Sequence, residues 1–118
     1  MGIQRVPGAS GASFSKAVVV SGPGRTVYVS GHLVPGGTMV AQTNGCFDQI
    51  EAALREVGGS LAHVVRITAF LTSLDEYREY SRVRGERFKG NLPASAAVQV
   101  AGLLQGALIE IDAVAWRG

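Results

Sequence analysis

The sequence predicts an α+β fold with two helices packed on one face of a mixed or antiparallel sheet. Three observations lead to this prediction. Apolar residues recur every three or four positions over residues 46–57, as in an amphipathic helix. Residues 64–71 form the run richest in β-branched side chains, which favours a strand. Near the C-terminus, the apolar runs at 93–101 and 107–115 are strand-like and are joined by a short link with glycine at both ends.

The first part of the chain is expected to supply two or three strands before the first helix. Residues 17–20 and 26–30 predict a hairpin with a turn at residues 21–24. Residues 31–37 contain one proline and three glycines, so the chain should leave the sheet there. Residues 38–41 are expected to form a short extended piece.

Two helices are predicted. The first begins near Gln42 and ends at Gly58, because glycine commonly follows the last helical residue. Thr72 or Ser73 is a candidate N-cap for the second helix, and Gly90 follows its end. The inward face of the second helix is predicted to carry Leu74, Tyr77, Ser81, Arg84 and Phe88. The element order is therefore β-β-(β)-α-β-α-β-β.

The composition predicts a single domain, residues 1–118, that associates with copies of itself. Hydrophobic residues make up 47% and charged residues 17% of the chain, whereas about 25% of an average soluble domain is charged. A small chain so poor in charge is expected to bury part of its surface in a homo-oligomer. The eleven Lys and Arg residues form no stripe and aromatic residues are few, so nucleic acid is not an expected partner.

Several other classes of function lack their sequence signatures. His32, His63 and Cys46 do not have the spacing of a zinc site, so no metal is expected. No glycine-rich nucleotide-binding motif is present, and no organic cofactor is expected. No stretch is long and apolar enough to span a membrane or to act as a signal peptide, and a lone cysteine suits a reducing compartment. We therefore expect a soluble cytoplasmic protein without a membrane partner.

Three groups of residues are candidates for chemistry. Glu110 and Asp112 point to the same side of an otherwise apolar strand. Either this face is solvated, or the two carboxylates pair with a basic side chain, or the face lines a site. Ser30 and His32 lie two residues apart on an extended segment, without the motif that surrounds a catalytic serine. Arg84 lies on an apolar helix face and either extends past the sheet edge to solvent or binds a carboxylate at the rim of a pocket.

Read in order, several short motifs resemble those of the Rid family (YjgF/YER057c/UK114), the reactive-intermediate deaminases. The segments FSKAV at 14–18 and VYVSGH at 27–32 are similar to the family's YSQAV and VFVSGQ. Similar motifs continue through the helices, and IEIDAVA at 109–115 resembles the family's IEIEAIA. The further matching segments are QT at 42–43, VGGSL at 57–61, FL at 70–71 and PA at 93–94. The resemblance covers the chain from about residue 14 to residue 115.

The resemblance implies a chorismate-mutase-like α+β fold, assembled as a homotrimer whose sheets form the inside of a barrel. It implies three clefts between neighbouring subunits, each of which binds a small molecule. Characterised members of the family hydrolyse imines and enamines, such as 2-iminopropanoate, without a metal or organic cofactor. In these members an arginine holds the substrate carboxylate, and a glutamate is thought to position the attacking water.

Some of the family's functional residues are present at the corresponding positions of this sequence, and others are replaced. The glutamate corresponds to Glu110, a candidate catalytic residue, whereas the arginine after Pro-Ala corresponds to Ser95. His32 replaces the family's glutamine, and Arg84 is a candidate substitute cation. The substrate-binding positions implied by the resemblance, together with that candidate cation, are Ser95, Ser30, Gly31, His32, Phe14, Ser81, Arg84 and Ala97.

The absence of arginine at position 95 limits how far the family's activity carries over. A charge-assisted contact to a carboxylate contributes about 1.5–3 kcal/mol. We therefore expect a deaminase acting on an imine or enamine, but inefficient on 2-iminopropanoate. Two alternatives are a non-catalytic trimer that binds a small molecule and, with less support from the sequence, an endoribonuclease. The identity of the ligand, the pathway and the role of Asp112 are not determined by the sequence.

Overall fold

The computed structural model describes residues 2–118 and has the predicted α+β architecture. Three one-turn 3₁₀ helices occupy Leu61–His63, Leu74–Glu76 and Leu104–Gly106. The longer elements, in chain order, are β1 (Gly2–Pro7), β2 (Ser15–Ser21), β3 (Arg25–His32), α1 (Met39–Arg55), β4 (Val64–Leu71), α2 (Tyr77–Arg87), β5 (Ala94–Gln99) and β6 (Ile109–Arg117). Within the described residues, no helix combines the length and the apolar character that a membrane span requires.

A four-stranded mixed sheet forms the centre of the fold, with the strand order β3-β6-β4-β5. The strands β4 and β5 are parallel, and the other neighbouring pairs are antiparallel. Both helices pack on one face of this sheet, and the core lies between them and the inward side chains of β4 and β6. The two C-terminal strands are therefore not neighbours, because β4 lies between them.

The predicted hairpin between residues 17–20 and 26–30 is wrong. Strand β2 pairs instead with β1, an N-terminal strand that the sequence pattern did not indicate, and β3 pairs with β6. The pairing of β3 with β6 places Val29, 7% exposed, opposite Ala113 in the core. Burial of Val29 stabilises the pairing of β3 with β6. This contribution depends on residues far apart in sequence, so the local turn pattern at residues 21–24 does not indicate it.

The first helix begins earlier than predicted. Of residues 38–41, which were predicted to be extended, only Thr38 is: residues 39–41 are helical, and Thr38 is the N-cap, whose Oγ1 accepts a hydrogen bond of 3.1 Å from the Ala41 backbone N–H. Strand β3 also continues to His32 across an irregularity, so it ends two residues later than the predicted end at residue 30. The predicted end is confirmed, because Gly58 has φ +80° and follows the last helical turn.

The inward face of α2 is only partly as predicted. Phe88 and Arg84 are buried, but Leu74 is 46% exposed and lies in the 3₁₀ turn that Ser73 caps. Tyr80 and Val83, which were not in the predicted face, are fully buried. The difference arises because α2 begins at Tyr77, so the helical phase of its buried face starts later than position 74.

Cys46 lies in the core between α1 and the sheet, and its environment makes the thiol a weak acid. Its Sγ donates a hydrogen bond of 3.2 Å to the backbone carbonyl oxygen of His32. Burial raises the pKa of the Cys46 thiol from 9.0 to about 11, and the negative charge of Glu110 adds to this shift.

We expect native Cys46 to resist a thiol-specific disulfide reagent at pH 8 and to react fully in concentrated urea. The free energy of unfolding should fall as pH rises from 9 towards 11, because the unfolded thiol loses its proton in this range while the folded thiol keeps it. Urea titrations across this range, beside Cys46→Ala as the control, measure the effect. Rapid labelling of the native protein at pH 8 would contradict the prediction.

Candidate functional site

The alternation predicted for the last strand is confirmed, and it separates two faces of the sheet. Ile109, Ile111 and Ala113 are buried on the helix side. Glu110 and Asp112 point to the opposite face and are partly exposed. Among residues 2–118 neither carboxylate forms an ion pair, so of the alternatives considered for this face, pairing with a basic side chain is not observed.

Glu110 lies directly against the backbone of β3. A Cβ built on Gly31 would overlap the Glu110 carboxylate, so only glycine allows this close approach. Ser30 and Gly31 are both exposed, and they lie at the irregularity in the pairing of β3 with β6. The structure therefore brings Glu110 and Gly31 together and places Ser30 beside them on an open edge of the sheet.

The start of β6 is held by a buried amide. The Gln42 side chain accepts a hydrogen bond of 2.9 Å from the Leu108 backbone N–H and donates one of 3.1 Å to the Gly37 carbonyl oxygen. Gln42 is 2% exposed and belongs to α1. These bonds fix the chain two residues before Glu110, so Gln42 helps to position the carboxylate.

His32 does not face Glu110. It pairs with Ile111, and its Nδ1 lies 3.0 Å from Oε1 of Gln49 on α1. Its side chain is therefore on the helix side of the sheet, whereas Glu110 lies on the opposite side. In this chain the imidazole supports the packing of β3 on α1 rather than the surface beside Glu110.

A second group of predicted residues surrounds Arg84. The guanidinium is 2% exposed and donates to four hydroxyl groups. It bonds Ser13 Oγ at 2.8 and 3.2 Å, Ser95 Oγ at 3.0 Å, the Tyr77 hydroxyl at 3.0 Å and the Tyr80 hydroxyl at 3.3 Å. The alternative in which Arg84 extends to solvent is therefore wrong, because its donors all find acceptors inside the chain.

Aromatic rings complete the environment of Arg84. The guanidinium carbon lies 5.2 Å from the centre of the Phe14 ring and 4.9 Å from that of Tyr80, both within the range of cation–π attraction. Burial raises the pKa of the Tyr80 hydroxyl, and the neighbouring positive charge of Arg84 opposes this shift. The phenol thus remains a neutral acceptor for the guanidinium at physiological pH.

The sequence motifs located part of this group but missed three members. Phe14 and Ser95 contact Arg84 directly, and Ser81 is linked to it through Ser13, whose Oγ lies 2.8 Å from the Ser81 Oγ. The residues missed are Ser13, Tyr77 as a partner of Arg84, and Tyr80. Helical spacing could have indicated the two tyrosines, which lie seven and four positions before Arg84.

The two groups are separated within one chain. Glu110 pairs with Phe70 of β4 on the open face, whereas Ser95 pairs with Ile67, three residues earlier in β4 and on the core face. Ala97 pairs with Ala69 and packs against the core. No metal-binding cluster of three or more His, Cys, Asp or Glu side chains is formed within residues 2–118.

We expect Gly31→Ala to displace the Glu110 carboxylate but to lower the free energy of unfolding by less than about 1 kcal/mol, because this carboxylate is the end of a flexible, partly exposed side chain. Gly102→Ala is the matched control, because a Cβ at Gly102 meets no atom within 4 Å and should have little effect. Urea denaturation of both variants measures the difference. The nuclear magnetic resonance signal of the Glu110 carboxyl carbon measures the displacement, and an unchanged signal in Gly31→Ala would show that Glu110 does not lie against Gly31.

Comparisons with known proteins extend these observations to a family. The family model described as Endoribonuclease L-PSP matches residues 4–117. The chain is 36% identical to the 2-iminobutanoate/2-iminopropanoate deaminase of Rattus norvegicus, over 97% of this chain and 86% of that protein.

Two solved structures are similar to this fold. Rv2704 from Mycobacterium tuberculosis, described as a member of the YjgF/YER057c/UK114 family, has a TM-score of 0.77 at 32% identity, covering 98% of this chain and all of that one. RidA from an Antarctic Psychrobacter species has a TM-score of 0.75 at 33% identity, covering 99% of each chain.

The fold and the open carboxylate-bearing sheet face define a small α+β protein of the chorismate-mutase-like type. The chain belongs to the Endoribonuclease L-PSP family, which is the YjgF/YER057c/UK114 or Rid family.

Proposed function

We propose that this protein hydrolyses a small imine or enamine, with Glu110 as the catalytic residue. The observation that carries the proposal is the Glu110 carboxylate, which lies against the Gly31 backbone on an open sheet face without a cationic partner in the described chain. A carboxylate held in this way is available to hold a water molecule beside a ligand. Deaminase activity in a relative at 36% identity supports this class of reaction.

The reaction consumes water and breaks a C–N double bond. Water adds to the imine carbon while Glu110 accepts a proton from it and passes this proton to the nitrogen, which gives a carbinolamine. Glu110 then carries the remaining hydroxyl proton to the nitrogen as the C–N bond breaks, so that ammonia leaves and a carbonyl product remains. In an alternative division of roles, Glu110 first protonates the leaving nitrogen. Ser30 and Gly31 are exposed beside Glu110, and this supports a role for their backbone in contacting the same ligand.

We propose that the cleft is completed by a neighbouring subunit in a homotrimer. In one chain, Glu110 and Ser95 lie on opposite faces of the sheet, so residues implied to share a ligand do not meet. The face that carries Glu110 also carries exposed apolar side chains, including Tyr28, which is 80% exposed, and Val98. Association of these faces would remove the apolar surface from water. Light scattering coupled to size-exclusion chromatography tests the trimer, and a monomer would contradict it.

The substrate is proposed to bind without a strong carboxylate anchor at position 95. Ser95 stands where the resemblance places an arginine, and the guanidinium nearest to it, that of Arg84, already donates to four hydroxyl groups and is 2% exposed. A carboxylate that reached Ser95 would therefore contact a hydroxyl rather than a free guanidinium. This supports inefficient use of 2-iminopropanoate relative to an imine that lacks a carboxylate.

The experiment that tests the proposal is imine hydrolysis by the purified protein, with freshly generated 2-iminopropanoate and a carboxylate-free imine as substrates. We expect higher activity on the second substrate. A gain on 2-iminopropanoate in Ser95→Arg would support the position of the cleft. If neither imine is hydrolysed and a small molecule binds tightly, the protein is a non-catalytic binding trimer; RNA cleavage that persists through further purification would favour an endoribonuclease.

A further inference from the structure

A cavity of about 200 Å³ lies where strand β1 meets the start of β2 and the loop that follows α2. It is lined by Arg5, Pro7, Ser15, Gly90 and Leu92. None of these five residues is acidic, and none is among the positions that the family resemblance assigns to catalysis or substrate binding. The cavity is therefore separate from the residues on which the proposed function rests.

Arg5 is the only charged residue of this lining, and backbone carbonyl groups hold its guanidinium in place. Nη1 donates to the carbonyl oxygens of Val64, at 3.0 Å, and of Leu92, at 2.9 Å, and Nη2 donates to that of Ala62 at 2.8 Å. These bonds join β1 to the start of β4 and to the loop before β5, so they fix the guanidinium beside the cavity. Carbonyl groups are neutral, and among residues 2–118 no carboxylate pairs with Arg5.

The three carbonyl bonds leave part of the guanidinium unused. Arginine carries five N–H donors, of which the bonds to carbonyl oxygens account for three. The donors that remain are on Nε and Nη2, which are neighbouring nitrogens on one edge of the planar group, and two such donors bind both oxygens of one carboxylate. Ser15 offers no competing donor, because its Oγ donates to the Leu92 carbonyl oxygen.

The charge of Arg5 is also incompletely stabilised within the chain. Burial lowers the pKa of the guanidinium below its usual value, because removal from water penalises the charged form. An anion next to the guanidinium would act in the opposite direction and favour the charged form. The side chains of Pro7 and Leu92 add apolar surface to the lining. The cavity thus combines one pair of cationic donors with apolar walls.

We propose that this cavity binds the carboxylate of a small aliphatic acid. The carboxylate accepts hydrogen bonds from Nε and Nη2 of Arg5, and the aliphatic part packs against Pro7 and Leu92. The cavity volume is below the range of about 300–1,000 Å³ that is typical for drug-sized ligands, so the acid is small. This site goes beyond the proposed imine chemistry, since neither Glu110 nor Arg84 lines the cavity.

Nuclear magnetic resonance titration of the ¹⁵N-labelled full chain tests the site. The probe is isobutyrate, the control is isobutyramide, its neutral analogue of similar shape, and sodium chloride at matched ionic strength is the blank. We expect isobutyrate to shift the backbone amides of residues 4–6, 15 and 90–92 in a saturable way, and isobutyramide to bind at least about ten-fold more weakly. Shifts that do not saturate, that isobutyramide reproduces, or that occur only around Arg84 would overturn the proposal.

Variants separate the Arg5 donors from general surface charge. Arg5→Gln should weaken isobutyrate binding by about ten-fold or more, as expected for loss of a charge-assisted pair of hydrogen bonds. Arg25→Gln is the matched control, because the Arg25 guanidinium also donates to a backbone carbonyl oxygen, that of Val57 at 3.1 Å, but lies outside the cavity. Equal weakening in both variants would show a response to net charge alone and would reject the site.

Two further variants keep the test decisive if Arg5→Gln does not fold, which its amide spectrum without ligand reveals. Arg5→Lys retains the charge but not the paired donors, so it should also weaken binding. Leu92→Ala keeps the backbone carbonyl that Arg5 and Ser15 contact, and it should weaken isobutyrate binding by about five-fold while affecting acetate less, because apolar contact is lost. Unchanged isobutyrate affinity in either folded variant would contradict the proposed binding mode.

Discussion

Replacement of Glu110 by glutamine is expected to reduce imine hydrolysis by about 10²–10⁴-fold, the usual contribution of a positioned acid or base. Glutamine keeps the shape of the side chain against Gly31 but can neither accept a proton from water nor return one to the departing nitrogen. The loss should therefore appear in kcat more than in KM. Steady-state kinetics on the carboxylate-free imine measure the effect.

Asp112→Asn is the matched control for Glu110→Gln. Asp112 lies two residues along the same strand and on the same face, opposite Thr68 of β4, but it is not placed against the glycine at position 31. Its substitution changes the net charge equally and should leave activity within about two-fold, as is usual for a surface change. Equal losses in both variants would point to charge on the sheet face, and full activity in Glu110→Gln would reject the proposed role.

Replacement of Arg84 by methionine is expected to lower the free energy of unfolding by about 1–3 kcal/mol, the cost of leaving buried hydroxyl groups without their hydrogen-bond partner. The guanidinium satisfies hydroxyl groups on the N-terminal loop, on α2 and on β5. Without it, Ser13 and Ser95 lose their bonds to a cation, and the loop loses its main tie to α2. Urea denaturation at equal protein concentrations measures the change, since association affects apparent stability.

Arg82→Met is the control for this prediction. The Arg82 side chain is 57% exposed and pairs only with Glu86, at 3.6 Å, so its loss should change stability by less than about 1 kcal/mol. Arg84→Lys separates charge from geometry, because lysine retains the charge but cannot bridge hydroxyl groups on three elements. A stable Arg84→Met protein would mean that the hydroxyl network contributes little to folding.

Local patterns in the sequence were sufficient to predict the elements in which apolar residues recur at regular intervals. The alternation of β6 assigned Glu110 and Asp112 to one face and Ile109 and Ile111 to the other, because side chains in a strand point to opposite faces in turn. The apolar stripe of α1 and the glycine after it likewise located the helix and its end. These features depend on residues close in sequence, so they can be read without knowledge of the fold.

Local patterns failed where two pairings compete. Residues 21–24 do connect two strands, but these strands belong to different sheets and do not form a hairpin. Thr38 is compatible with an extended segment by itself, yet its hydroxyl caps α1 because the helix begins there. In both cases the outcome depends on which surface each segment buries, and this is decided by packing between distant parts of the chain.

The chain by itself therefore determined the α+β class, the resemblance to the Rid family and the position of one carboxylate on an open strand face. Only the tertiary structure placed Arg84 against Ser13, which is 71 positions away in sequence, and against Ser95. It also separated this group from Glu110. The physical reason is that periodicity specifies which side of an element a residue occupies, whereas its partners depend on long-range packing that brings different elements together.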